Sequence, residues 1–148
     1  MGYEHPERFH KANVTAYLYR IGAEYGNLNT MLVRPNGIDV TLPKRYWAFA
    51  QFSRFVRPGA VRVSTTSTNS ALTTSAFVNE NGTLAIQIIN TGPTNVTVSV
   101  KGVTGTAVTT WLSDEANDSS LIDADIGVVE AGVINGIVPA RLFVSFLV

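Results

Sequence analysis

The sequence predicts a mainly β chain: an antiparallel β-sandwich preceded by one strand, a long loop and one helix. Three observations carry that expectation. Composition changes at Pro58 and Gly59: all five Tyr, both His and eight of the eleven Lys and Arg come before them, and Thr, Ser, Val, Asn and Gly dominate afterwards. The later region alternates apolar and polar residues with period two, the pattern of a strand with one wet face. Turn clusters such as Asn79-Glu80-Asn81-Gly82 and Asn90-Thr91-Gly92-Pro93 interrupt that alternation every roughly 8–15 residues, as short antiparallel strands require.

In chain order, residues 12–21 (ANVTAYLYRI) are β-branched and aromatic without a breaker, which predicts a mostly buried strand ended by Gly22. Residues 23–42 form a long loop. Within it Pro35-Asn36-Gly37 is a turn signature that can close a short hairpin between 31–33 and 38–40. Thr41 is the expected N-cap of a helix with Pro43 near its first turn, where a missing N–H does no harm. Tyr46, Phe49, Ala50, Ser53 and Val56 fall on one helical face, widened by Trp47 and Phe52. Pro58 and Gly59 stop the helix. Strands are then expected over 60–64, 72–78, 83–89, 96–101, 107–112, 132–138 and 142–148. The last, LFVSFLV, is apolar on both faces and belongs in the middle of a sheet. The acidic stretch 113–125 (SDEANDSSLIDAD) reads as a solvated loop.

A chain of 148 residues with 45% apolar content can close one core. Eleven basic residues balance eleven acidic ones, so there is no charge excess to grip nucleic acid or an anionic membrane. Without cysteine there is no disulfide framework, thiolate zinc site or cysteine nucleophile. No apolar run approaches the roughly 20 residues that span a bilayer, and the polar opening MGYEHPERFHK is no signal peptide.

Candidate chemistry is sparse. His5 and His10 alone make a poor metal set, and 113–125 lacks the alternating acids and central Gly of a calcium loop. No metal or cofactor is expected. Paired carboxylates that cleave glycosides stand roughly 5–10 Å apart. Glu24, just past the first strand, is one candidate acid, and Asp39 in the same loop is the other that can be brought near; both also read as loop surface. Serines lack a nearby His or a strained Gly-x-Ser-x-Gly elbow. Tyr17 and Tyr19 share one side of the first strand and Arg20 faces the other. The tyrosines either offer ring faces to a sugar or pack beneath the helix at Tyr46 and Trp47. Asn-x-Ser/Thr triplets occur at Asn13, Asn81, Asn95 and Asn117, where about two are expected by chance.

The order strand, loop, aromatic helix, Pro-Gly, sandwich resembles the C-terminal portion of glycoside hydrolase family 30. Residues 44–63 (KRYWAFAQFSRFVRPGAVRV) look like that family's last barrel helix running into its sandwich, and 14–22 (VTAYLYRIG) is similar to its eighth barrel strand, followed by Glu24-Tyr25-Gly26-Asn27. Ser75-Ala76-Phe77 with Leu84-Ala85-Ile86-Gln87-Ile88-Ile89-Asn90 resembles the strand pair that opens the sandwich, and Thr110-Trp111-Leu112-Ser113 a later strand. The wording of 44–63 is most similar to the fungal enzymes that cleave β-1,6-linked galactan.

The resemblance implies a (β/α)8 barrel with a side sandwich, of which 1–57 would be the remnant of the last β/α unit and 58–148 the sandwich. It implies retaining hydrolysis by two glutamates on the fourth and seventh barrel strands, which this chain does not include, so no catalytic residue is assigned. Tyr19, Arg20, Glu24 and Tyr25 are the substrate-binding candidates. The family often has an aromatic where Arg20 stands. The implied parent is extracellular, takes a polysaccharide through its barrel, and needs its N-terminal barrel for completion. Two other readings compete: a freestanding carbohydrate-binding sandwich using Tyr17, Tyr19, Tyr25 and Trp111, and a structural module without ligand.

Overall fold

The computed structural model describes residues 16–24, 30–113, 120–122 and 126–148. The β-branched and aromatic composition predicts a buried strand over 12–21, but its described part forms no ladder. A single parallel bridge joins Ala23 to Val33, with the Leu32 N–H donating to Ile21 O at 3.2 Å and the Val33 N–H to Gly22 O at 2.8 Å. A strand propensity becomes a strand only where a neighbour supplies backbone partners, and Ile21, at φ 67°, turns the chain out of the extended region.

The expected hairpin is present, slipped along the chain. Strands β1 (Arg34–Asn36) and β2 (Asp39–Thr41) pair antiparallel with Asn36 opposite Asp39. The loop is therefore Gly37 and Ile38, with Gly37 at the positive φ of 63° that a two-residue hairpin loop asks of its first residue. Pro35 lies inside β1, which an edge strand tolerates.

Helix α1 (Lys44–Phe55) starts from Pro43, whose extended backbone (φ −70°, ψ 159°) makes it the N-cap without any side-chain cap. Thr41, the expected cap, instead ends β2 opposite Arg34. The Val56 N–H closes the last turn on Phe52 O at 2.8 Å, and the Ala60 N–H bonds Arg57 O at 3.0 Å across Pro58 and Gly59.

The remaining strands are β3 (Val61–Val63), β4 (Leu72–Val78), β5 (Leu84–Asn90), β6 (Val96–Lys101), β7 (Thr109–Ser113), β8 (Ser120–Ile122), β9 (Gly127–Glu130), β10 (Val133–Val138) and β11 (Leu142–Leu147). They make a six-stranded sheet in the order β3-β4-β5-β11-β7-β8 and a three-stranded sheet in the order β6-β10-β9, with every neighbouring pair antiparallel. β11 is central, as its two apolar faces predict. Its pairing sets Val144 beside Ile88 and Leu112, and Phe146 beside Ile86. These residues, with Ala76 and Leu142, pack on Val98, Ile134 and Val138 of the smaller sheet to make the core.

Strands β8 and β9 go beyond the sequence reading. β8 falls within the stretch read as a solvated loop, of which residues 114–119 and 123–125 lie outside the described set. β9 meets β10 through Ala131 and Gly132, at φ 49° and 76°. Two positive φ values define the type I′ turn, whose usual first residue is Asn, Asp or Gly; alanine there conceals it.

One buried side chain ties the loops at one end of the sandwich. Asn90, 1% exposed, shares its two Nδ2 protons among the carbonyls of Thr94 (2.9 Å), Val138 (3.1 Å) and Pro139 (3.0 Å), while its Oδ1 accepts from the Gly92 N–H at 2.9 Å. Asn90→Ala is expected to lower stability by about 2–3 kcal/mol, because the truncation orphans buried partners; a urea melt within 0.5 kcal/mol of the parent would refute this role. Ala131→Asn is expected to stabilise by about 0.5–1 kcal/mol, since asparagine accepts the left-handed conformation more readily. A lowered thermal midpoint would count against the I′ assignment.

Candidate functional site

Tyr17 and Tyr19 both turn toward Phe49 of α1, with ring centroids 6.1 and 6.2 Å away. The Tyr19 hydroxyl donates to Thr30 O at 2.8 Å, so this ring links the segment before the bridge to the backbone at Thr30. Both half-buried rings thus meet the helix at Phe49, not at the expected Tyr46 and Trp47. Arg20 and Glu24 are exposed, and neither has a hydrogen bond or ion pair among the described residues. Tyr25 lies outside the described residues.

The described carboxylates, Glu24, Asp39, Glu80 and Glu130, sit on four separate elements: after the bridge, in β2, in the β4–β5 turn and at the end of β9. No group of three or more His, Cys, Asp or Glu able to hold a metal occurs among the described residues. His5 and His10 lie outside them.

What the sequence reading missed is a polar centre under the helix. Gln51, Gln87 and Ser145 are 0%, 1% and 0% exposed. The Gln87 Nε2 donates to the Gln51 backbone carbonyl at 3.2 Å, and Ser145 Oγ stands 2.5 Å from Gln87 Oε1. In one sense of the Gln51 amide, Nε2 donates to Ser113 Oγ at 2.8 Å and Oε1 lies against Ser145 Oγ. That leaves one serine proton for two carbonyl oxygens. Turning the amide over closes the count: Ser113 donates to Gln51 Oε1, Gln51 Nε2 donates to Ser145, and Ser145 donates to Gln87.

Aromatic rings surround this centre. Phe52 stands edge-on to Phe143 at 5.4 Å and to Phe77 at 6.5 Å, and Phe55 lies 5.5 Å from Trp111. The Arg54 guanidinium carbon sits 4.1 Å from the Trp111 centroid, within cation–π range. The sheet-facing residues of α1 are therefore Gln51, Phe52 and Phe55, while Ser53, predicted on the inner stripe, is exposed and Phe49 serves the tyrosines. Asn79 clamps the helix end: its Nδ2 donates to Phe55 O and its Oδ1 accepts from the Arg57 N–H, both at 2.9 Å. Chemically the assembly holds and orients.

Residues 59–121 match the family described as the glycosyl hydrolase family 30 beta sandwich domain. The catalytic domain of a family 30 xylanase C from Talaromyces cellulolyticus superposes with a TM-score of 0.79 at 36% identity, covering 86% of this chain and 29% of that one. A subfamily 8 xylanase from Clostridium acetobutylicum gives a TM-score of 0.70 at 26% identity over 80% of this chain and 30% of its own. A family 30 endoxylanase from Clostridium papyrosolvens gives 0.65 at 27% identity over 72% and 28%. The chain thus spans less than a third of the length of each of these structures.

Gln51→Ala is expected to cost about 2–4 kcal/mol, from a cavity plus the hydrogen bonds that Gln51 makes with Ser113 and Ser145, whereas Ser53→Ala should stay within about 0.5 kcal/mol. Equal costs in denaturant titration would contradict the assignment of the buried face.

Proposed function

We propose that the chain is the C-terminal part of an exported, retaining glycoside hydrolase of family 30, with residues 1–57 the last β/α unit of its barrel and 58–148 the sandwich that braces it. The supporting observation is the 36% identity with the xylanase C structure over 86% of this chain, a share too large for the sandwich alone, so that the match reaches into residues 1–57. The surface agrees. Val61, Val63 and Val78 stand on the core side of β3 and β4 yet are 65%, 37% and 37% exposed, beside an Ala76 that is 4% exposed. A three-stranded sheet cannot roof a six-stranded one, and the uncovered valines suit further chain. Leu18, Ile38 and Val40, which precede the helix in the chain, are likewise exposed, at 92%, 102% and 60%.

On this reading the chemistry belongs to the barrel's glutamates, and the sandwich positions the last β/α unit through the Gln51 centre and the Asn79 clamp. Arg20, Glu24 and Tyr25 are then the groups this chain offers toward substrate, with Tyr19 holding their segment in place. The substrate is a plant or microbial polysaccharide. The wording of residues 44–63 favours β-1,6-linked galactan, while the matched structures are described as xylanases. A freestanding sugar-binding sandwich is the weaker reading, because Trp111, its main ring, is covered by Arg54 and Phe55.

The test compares this chain alone with the chain joined to the barrel encoded upstream. Alone, it should hydrolyse neither β-1,6-galactan nor xylan and should self-associate in sedimentation runs through its open sheet edges. Joined, it should become monomeric and release oligosaccharide, faster from galactan. A preference for xylan would move the specificity and keep the class. Turnover by the chain alone, or a joined protein inert on both polymers, would sink the proposal.

A further inference from the structure

The asparagines of this chain divide by what their side-chain amides do. Asn79 and Asn90 are buried at 6% and 1% exposure, and both spend Nδ2 on backbone carbonyls. Neither is followed by x-Ser/Thr. Asn81 and Asn95 are followed by Gly82-Thr83 and Val96-Thr97, and both are exposed. Each uses only its carbonyl oxygen: Asn81 Oδ1 accepts from the Thr83 N–H at 3.0 Å, and Asn95 Oδ1 accepts from the Ala140 N–H at 3.0 Å. Their Nδ2 groups have no hydrogen bond among the described residues.

We infer that Asn81 and Asn95 are acceptors for N-linked oligosaccharide, a modification that rests on the export proposed above. In the transfer, Nδ2 gives up one proton and forms a C–N bond to the anomeric carbon of a lipid-diphosphate-linked oligosaccharide. The bond from that carbon to the diphosphate oxygen breaks, and the lipid diphosphate leaves with the electron pair. The product amide keeps its carbonyl oxygen and one N–H. The bonds from Thr83 and Ala140 therefore survive, and the folded chain carries both glycans without giving up a contact. Thr83 precedes β5 and Thr97 lies exposed in β6, so both glycans leave from turns at the surface.

The test translates the full chain behind a cleavable secretory leader in the presence of eukaryotic microsomes and scores only protease-protected chains. Every molecule counted has then entered the lumen, so failure of the sites is separated from failure of the export reading. Glycosidase treatment in heavy-oxygen water followed by peptide mass spectrometry should label Asn81 and Asn95. Thr83→Ala and Thr97→Ala, which leave each asparagine and its hydrogen bond intact, should each remove one glycan and leave the other. Protected chains with neither position labelled, or labelled only at Asn13 or Asn117, would overturn the inference.

Discussion

The way α1 seats on the outer face of the large sheet depends on hydrogen bonds at Gln51 more than on apolar area. Oily contacts tolerate sliding; a glutamine that must meet Ser145, Ser113 and Gln87 at once does not. The aromatic pairs on either side supply burial, and the polar centre supplies register. Through Phe49 the same helix holds Tyr17 and Tyr19, so the placement of Arg20 and Glu24 follows from a contact made on the opposite flank of the helix.

The two sheets have unequal duties. The smaller covers part of the larger on its inner side, and α1 covers part of its outer side. β11 carries both interfaces: Val144 and Phe146 face inward, while Phe143 and Ser145 face the helix. All four are essentially buried. The uncovered valines of β3 and β4 mark where this two-sided arrangement stops within the chain.

The sandwich was legible because its signals are local. Alternation and turn clusters placed β4 to the residue and put β5, β6, β10 and β11 within a residue or two. Where a signal needed a partner, sequence was a poor guide. The segment 16–21 has strand-forming residues but too few neighbours, and Ala131 gives no hint of a left-handed turn. The helix face was misjudged for a definite reason: hydrophobic periodicity discounts glutamine, and glutamine is the most buried residue of α1. Its partners lie 36, 62 and 94 residues away, beyond any local pattern. That Tyr17 and Tyr19 can pack against the helix was legible in the sequence; that they meet it at Phe49 needed coordinates.

The Asn79 clamp has a consequence for protein engineering. A strand-end amide grips the carbonyl of Phe55 and the N–H of Arg57, so the link between helix and sandwich behaves as a weld rather than a hinge. Transplanting the sandwich onto a different protein by cutting at Gly59 would strip away the helix that Gln87, Ser145 and Phe143 receive. A graft that respects the seams of this molecule begins upstream of Pro43 and carries α1 with it.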